Sequence, residues 1–244
     1  LYKAQVLKEF VDYIDECLVE HGFKLRPEER ARLLIYAGEI LDNAEEHAGM
    51  REWSIVGYVD TDSEDHLCEI AIFNFGRSFA ETFSSLSQNS YAYKEVAPYL
   101  DQHRRKGFFN TGWREEDLLT LVALQGHVSS KNTSSSTTRG QGTVDIIKFF
   151  QKVHLECVGT AGPCAEMAIL SGKTHILFDG TYQMAPDASG RNVIAFNAQN
   201  DLSSKPDPKY VRNLGGDGFP GTVISIRFPM KLTKQTEMVH GDTN

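Results

Sequence analysis

Residues 27–48 constrain this chain more than any other stretch, because they read as one long helix carrying both a core-facing stripe and a polar one. Pro27-Glu28-Glu29 opens it: proline's fixed φ suits the first helical position, and acids favour the positive end of the helix dipole. At roughly 100° per residue, Leu33, Ala37, Ile40, Leu41, Ala44 and Ala48 share one stripe. Glu39, Asn43 and His47 share another, centred about 110° away. A carboxylate, an amide and an imidazole thus sit four residues apart on the shoulder of a core-packed helix. Such a triplet lines a pocket or forms a solvated flank, and the helix alone does not decide between them.

The remaining periodicities predict an α/β chain. Val6, Leu7, Phe10, Val11, Ile14 and Leu18 have helical spacing and stop at His21-Gly22, so a helix precedes the one at 27–48. Alternation and β-branched runs predict strands at 53–59, 66–75, 153–158, 166–170, 174–179, 192–197 and 222–228. Helices are predicted at 91–106, 114–127 and 144–150. Gly180, Gly190 and the run 215–221 mark turns. The sheet is expected to be mixed and mostly antiparallel. Residues 129–138 are ten polar residues in a row and cannot build a core.

Composition excludes some functions. A formal charge of −8 argues against a general nucleic-acid or membrane-surface binder, and Arg104-Arg105-Lys106 is too short a basic cluster to reverse it. No apolar run approaches the roughly 18 residues of a membrane span. Cys17, Cys68, Cys157 and Cys164 form no C-x-x-C pair, so the default expectation is a cytoplasmic protein with reduced thiols. Ser171-Gly172-Lys173-Thr174 has the tail of a P-loop, but Met167 stands where its first glycine is required and no helix is predicted to follow.

Four segments, in order, resemble the motifs of the GHKL, or Bergerat-fold, ATP-binding family. The Glu39-to-Ala48 segment resembles the N-box, and Asn74-Phe75-Gly76-Arg77-Ser78-Phe79, ending a predicted strand, resembles a degenerate first glycine box. Thr138-Arg139-Gly140-Gln141-Gly142-Thr143, opening a predicted helix, resembles the second; Gly221-Thr222, leading into the strand 222–228, resembles the third. The resemblance spans roughly residues 27 to 230. It implies a two-layer sandwich with helices on one face of the sheet. The implied layout is an N-terminal helix at 1–26, a nucleotide-binding domain at 27–232 with a lid insertion at about 80–139, and a polar tail at 233–244.

The resemblance also implies a ligand, Mg2+ with ATP, and roles for residues. Magnesium takes hard oxygen ligands, and the implied protein ligand is the Asn43 amide. Glu39 takes the place of the carboxylate that orients water in hydrolysing members of the family, and of the group that accepts a serine proton in its anti-sigma kinases. His47 is expected beside the base and ribose. Gly140, Gly142 and Thr143 are expected to bring helix-start amides to the phosphates, with Lys131 and Arg139 supplying charge. Thr222 is expected on the adenine side, and Gly76 keeps its glycine.

Three departures stand out. Glu46 stands where histidine kinases of the family often carry Lys or Arg to meet phosphate, and it is expected to point outward. The family's first glycine box has Asp against the adenine amino group, whereas Asn74 carries both a donor and an acceptor and can match either purine by flipping. Ser78 replaces the second glycine. The expected function is slow ATP hydrolysis in a nucleotide-gated switch acting on a protein partner or through a nucleotide-dependent dimer. The alternatives are a protein kinase of anti-sigma or histidine-kinase type and a non-hydrolysing interaction module.

Overall fold

The computed structural model describes residues 2–48, 53–60, 62, 66–107, 109, 113–126, 128, 141–157, 164–230 and 232–234; within these, the side chains of residues 2, 36, 39, 40, 42–48, 141, 142, 157 and 232–234 lie outside the description. The chain begins with α1 (Tyr2–Glu20), the short strand β1 (Phe23–Leu25) and α2 (Pro27–Ala48). Phe10, Val11, Ile14 and Leu18 of α1 and Leu33, Ala37 and Leu41 of α2 are buried, as the helical spacing requires. Arg30 clasps the two helices together by pairing with Asp12 and, at 3.1 Å, with Asp15.

The main sheet is six-stranded. Its strands, in chain order, are β2 (Ser54–Val59), β3 (Leu67–Phe75), β4 (Glu166–Gly172), β5 (Thr174–Phe178), β8 (Val211–Asn213) and β9 (Phe219–Pro229). Across the sheet they lie in the order β2-β3-β9-β4-β5-β8, antiparallel at every pairing. The parallel pairing that a mixed sheet implies is not found among the described strands. Period-two alternation puts Cys68, Ile70 and Ile72, Ile224, Ile226 and Phe228, Met167 and Ile169, and Ile176 and Phe178 on one buried face. Helices α1, α2 and α6 (Gln141–Cys157) pack against the strands, while residues of opposite parity, such as Val56 and Tyr58, are exposed.

Between β3 and α6 lie α3 (Phe79–Ser84), α4 (Tyr91–Lys106) and α5 (Glu115–Ala123). Much of the expected lid insertion is therefore core: Phe79, Phe83, Val96 and Leu100 are buried, as is every residue of α5 from Asp117 to Ala123. Residues 129–140, which contain the polar run, lie outside the described residues.

Three sequence expectations are corrected. Of the strand predicted at 153–158, residues 153–157 are the end of α6 and residue 158 lies outside the described residues, because Val144, Ile147, Phe150 and Val153 continue one buried helical face without an interrupting Gly or Pro. The strand at 192–197 is reduced to β7 (Asn192–Val193), paired with β6 (Ala185–Pro186). Beyond it the backbone bonds elsewhere: Ile194 N donates to Gln125 Oε1 at 3.0 Å, Ala195 N donates to Asn200 Oδ1 at 2.8 Å, and Phe196 has φ 53°. Finally, residues 233 and 234, read as polar tail, belong to strand β10 (Leu232–Lys234), paired with β1, which the reading of 1–26 as helix also missed. A three-residue strand carries too little alternation to be read alone.

The assignment of the α2 face is testable by thermal or denaturant unfolding. Leu33→Ala, at a fully buried position, should cost about 2–5 kcal/mol. Ile35→Ala, at a position 58% exposed, should change stability by no more than about 0.5 kcal/mol. Equal effects would mean that the helix presents another face.

Candidate functional site

Hydroxyl, amide and carboxylate groups replace aliphatic ones at one end of the buried face. Asn74 of β3 pairs in register with Thr222 of β9, Thr222 with Ser171 of β4, Ser171 with Thr174 of β5, and Thr174 with Asn213 of β8. All except Asn213 are buried, and Asp117 of α5, fully buried, abuts the row. Buried polar groups are tolerated when hydrogen-bonded. Thr174 Oγ1 and Asn213 Nδ2 donate to Asp117 Oδ1 at 2.7 and 3.1 Å, and Arg114 N donates to Oδ2 at 2.9 Å. Ser171 Oγ accepts from Phe79 N at 2.9 Å and lies 2.8 Å from Thr222 Oγ1.

One group in the row is left over. Asn74 is 3% exposed, and its Oδ1 is buried without a hydrogen-bond partner. An unmet buried acceptor costs about 1–3 kcal/mol, which marks a place where a ligand or ordered water repays the loss. Beside it the strands approach closely. Gly221 has φ 143°, and a Cβ there would lie 2.0 Å from Asn74 O, so no side chain fits. Gly76 N donates to Pro220 O at 3.1 Å and extends this pairing past the end of β3.

Two helices are carried to the same end of the sheet. Burial, and after it the negative charge of Glu29 in the first turn of α2, raises the pKa of the Cys68 thiol, six residues before Asn74 on β3. Glu29 binds Arg32 at 3.1 Å, and Arg32 binds Glu156 in the last turn of α6 at 2.8 Å. His154 Nδ1 lies 2.8 Å from Ala165 O, at the start of β4, far from Ser171. The start of α2 and the end of α6 therefore meet at the Cys68 end of the sheet. From Glu29 to Asn43 a helix rises about 21 Å, matching the roughly 20 Å that a strand covers from Cys68 to Asn74. Because α2 packs on β3 and β9, and α6 on β9 and β4, the backbone at Asn43 and the first turn of α6 lie towards the polar row.

The sequence-predicted residues sort accordingly. Asn74 and Thr222 are adjacent, Gly76 follows immediately, and Thr143, in the first turn of α6, is 2% exposed. Glu39, Asn43 and His47 are on α2 and Gly142 is on α6, with side chains outside the description. Lys131, Arg139 and Gly140 lie outside the described residues altogether. Ser78, in place of a glycine, has a structural use: it caps α3, accepting from Glu81 N at 3.1 Å while its own N donates to Glu81 Oε2 at 2.7 Å.

Ser171, Thr174, Asn213 and Asp117 were not anticipated as site residues. The P-loop-like tail is a β4–β5 hairpin turn, as its rejection required, with Gly172 at φ 59°. The signal that could have found the hydroxyls is parity: Met167, Ile169 and Ser171, then Thr174, Ile176 and Phe178, share the core face. A cleft of about 520 Å³ beyond Gly76 is lined by Glu81, Glu115, Glu116 and Asp217 and, among the described residues, by one cation, Lys173, a charge balance that repels polyanions. Among the described residues, no group of three or more His, Cys, Asp or Glu is arranged to hold a metal ion, and no helix is long and apolar enough to cross a membrane. No family model, curated protein or solved structure matches this chain.

Two variants test the row. Gly221→Ala should destabilise the fold by at least about 2 kcal/mol through backbone overlap and an unfavourable φ, measured by denaturant unfolding. Asp117→Ala should cost about 2–4 kcal/mol because it leaves three donors without an acceptor. Burial raises the Asp117 pKa above the ordinary carboxylate value, despite the opposing bonds from Thr174, Arg114 and Asn213. The folded state then holds this proton more tightly than the unfolded chain, so the group's stabilisation is fullest below the ordinary value and is lost as pH rises through the raised one. The stability gap between wild type and Asp117→Ala should narrow over that window and be flat above it.

Proposed function

We propose that this chain is a GHKL-type nucleotide-binding domain with a Bergerat-like two-layer arrangement, taking Mg-ATP at the Asn74–Thr222 end of the sheet and hydrolysing it slowly. The observation that carries the reading is the partnerless buried Asn74 Oδ1 beside Thr222, at the end of the sheet towards which the backbone at Asn43 and the start of α6 run. A purine amino group supplies the donor that this acceptor lacks. The residues fit the rest of the ligand in kind. Magnesium would be held by the Asn43 amide oxygen together with phosphate oxygens, and would neutralise charge on the triphosphate.

The chain's own groups divide the remaining work. Glu39, one turn before Asn43, orients and polarises the attacking water. Backbone amides at Gly140, Gly142 and Thr143 hold phosphate oxygens, where helix-start N–H groups and the dipole favour negative charge. Lys131 and Arg139 bring positive charge from the segment 129–140, and His47 flanks the base. The carboxylate rim beyond Gly76 keeps the triphosphate on the α6 side of the row. Closure of that segment, slower than bond cleavage, sets the pace, so the domain works as a nucleotide-gated switch for a protein partner or a second copy.

Calorimetric titration with a non-hydrolysable ATP analogue should give magnesium-dependent binding that is strongly weakened in Asn43→Ala. Glu39→Ala should keep binding but lose phosphate release by about two to four orders of magnitude. Equal affinity with and without magnesium, or none for any nucleotide, overturns the reading. An unchanged rate in Glu39→Ala removes that residue from the water.

A further inference from the structure

We propose that the outer stripe of α4 is a docking groove for an extended acidic peptide of a partner protein. The assignment is independent of the nucleotide reading. On its inner side α4 buries Ala92, Val96, Leu100 and His103. On the other side Tyr93, Lys94, Ala97, Pro98, Asp101 and Arg105 line a cleft of about 710 Å³. The chain as a whole carries a formal charge of −8, yet this cleft is lined by Lys94, Arg105 and Lys106 against Asp101. Its local charge is therefore opposite to that of the molecule, and it attracts anions.

Three basic residues close α4, and the structure separates them. Arg104 turns to Glu115 and donates to both carboxylate oxygens, at 2.7 and 2.8 Å. Lys106 Nζ donates to Ser203 O at 3.2 Å. Arg105 at one end of the groove and Lys94 at the other are exposed, and neither is in an ion pair among the described residues. Pro98, between them, adds a backbone acceptor. It lies inside α4, where it has no N–H to give to the carbonyl of Lys94, and both residues are on the exposed side. An interior proline is costly to a helix; here it leaves a main-chain oxygen open to a donor from the ligand.

The order of these groups selects the ligand. From Lys94 to Arg105 a helix rises about 16 Å, which an extended chain covers in about five residues. Asp101 stands between the two cations. The complementary ligand is thus anionic at both ends and neutral in the middle, with N–H groups to offer the Lys94 carbonyl and a small apolar segment to lie on Ala97 and Pro98. A peptide with acidic residues about five positions apart meets all four demands. A nucleic-acid strand does not, because its phosphate on every nucleotide brings a negative charge against Asp101.

The test uses the full chain without nucleotide and a fluorescein-labelled peptide of two glutamates, two alanines and two glutamates, with its glutamine analogue as the neutral probe. In anisotropy titrations the glutamate peptide should bind at least about tenfold more tightly than the glutamine one. Lys94→Gln and Arg105→Gln, both at exposed positions, should each weaken it about threefold or more, and Asp101→Asn should tighten it. Lys8→Gln, which makes the same change of net charge at an exposed position on α1, should leave it unmoved. Equal binding of the two peptides, or equal weakening by Lys8→Gln, overturns the proposal. Pro98→Ala restores the helical N–H, so it should raise the melting temperature while weakening the peptide; a stabilised helix with undiminished binding overturns the backbone contact and the extended pose with it. Tighter binding of a six-nucleotide single-stranded DNA than of the glutamate peptide overturns the choice of a peptide.

Discussion

The pairing of β3 with β9 is the constraint on which the rest of the structure depends. It runs in unbroken register from Leu67↔Pro229 to Phe75↔Gly221, and β9 carries the sheet onward through β4. A one-residue slip would turn Cys68, Ile70 and Ile72 away from the helices and bring Glu69 and Phe73 inward, so the hydrophobic pattern itself defends the register. Gly221 defends it sterically, because only a residue without Cβ fits over the Asn74 carbonyl. The same two strands thus secure the core at one end and juxtapose Asn74 and Thr222 at the other.

Helix length converts that register into a site. Neither α2 nor α6 needs a special contact at the polar row. Each is anchored at the Cys68 end by the Glu29–Arg32–Glu156 chain and the His154–Ala165 bond, and each is long enough to run the length of the central strands. The three helices between β3 and α6 are attached by bonds to strand or loop: Phe79 N donates to Ser171 Oγ, His103 Nε2 of α4 lies 2.8 Å from Leu202 O, Asp117 accepts from Thr174 and Asn213, and Gln125, just past α5, donates to Ile194 O. These attachments hold the insertion against β4, β5 and β8.

How much of this was legible varied with the physical signal. The face of α2 and the strands 54–59, 67–75 and 219–229 follow from periodicity, because each segment is long enough to repeat its pattern several times. The pairing of Asn74 with Thr222 is not periodic information, and only the order of the glycine-containing segments hinted at it. The end of α6 was misread because Val153, His154 and Leu155 form a β-branched and apolar run whose helical phase is set by residues nine positions earlier. Ile194 to Asn197 was misread because side chains of Gln125 and Asn200 take the backbone hydrogen bonds that a strand would have used. Such long-range capture leaves no local trace.

The polar row is also not one network but two, and the division has a chemical consequence. Thr174 and Asn213 each donate to Asp117, so at that end the buried carboxylate is satisfied inside the protein. Ser171 and Thr174 are opposite each other in register, yet each bonds away from the other. The half containing Ser171 is therefore an open chain. It begins at the Phe79 N–H, passes through the Ser171 and Thr222 hydroxyls, either of which can donate to the other, and ends in register with Asn74, whose Oδ1 has no partner. A closed network contributes stability and is complete without a ligand; an open one with a buried free end is complete only when something else supplies the last bond. Other buried side-chain nitrogens among the described residues, such as those of Trp113 and His175, also lack partners, but Asn74 Oδ1 is the one that belongs to the row, at the end of β3 beside Thr222.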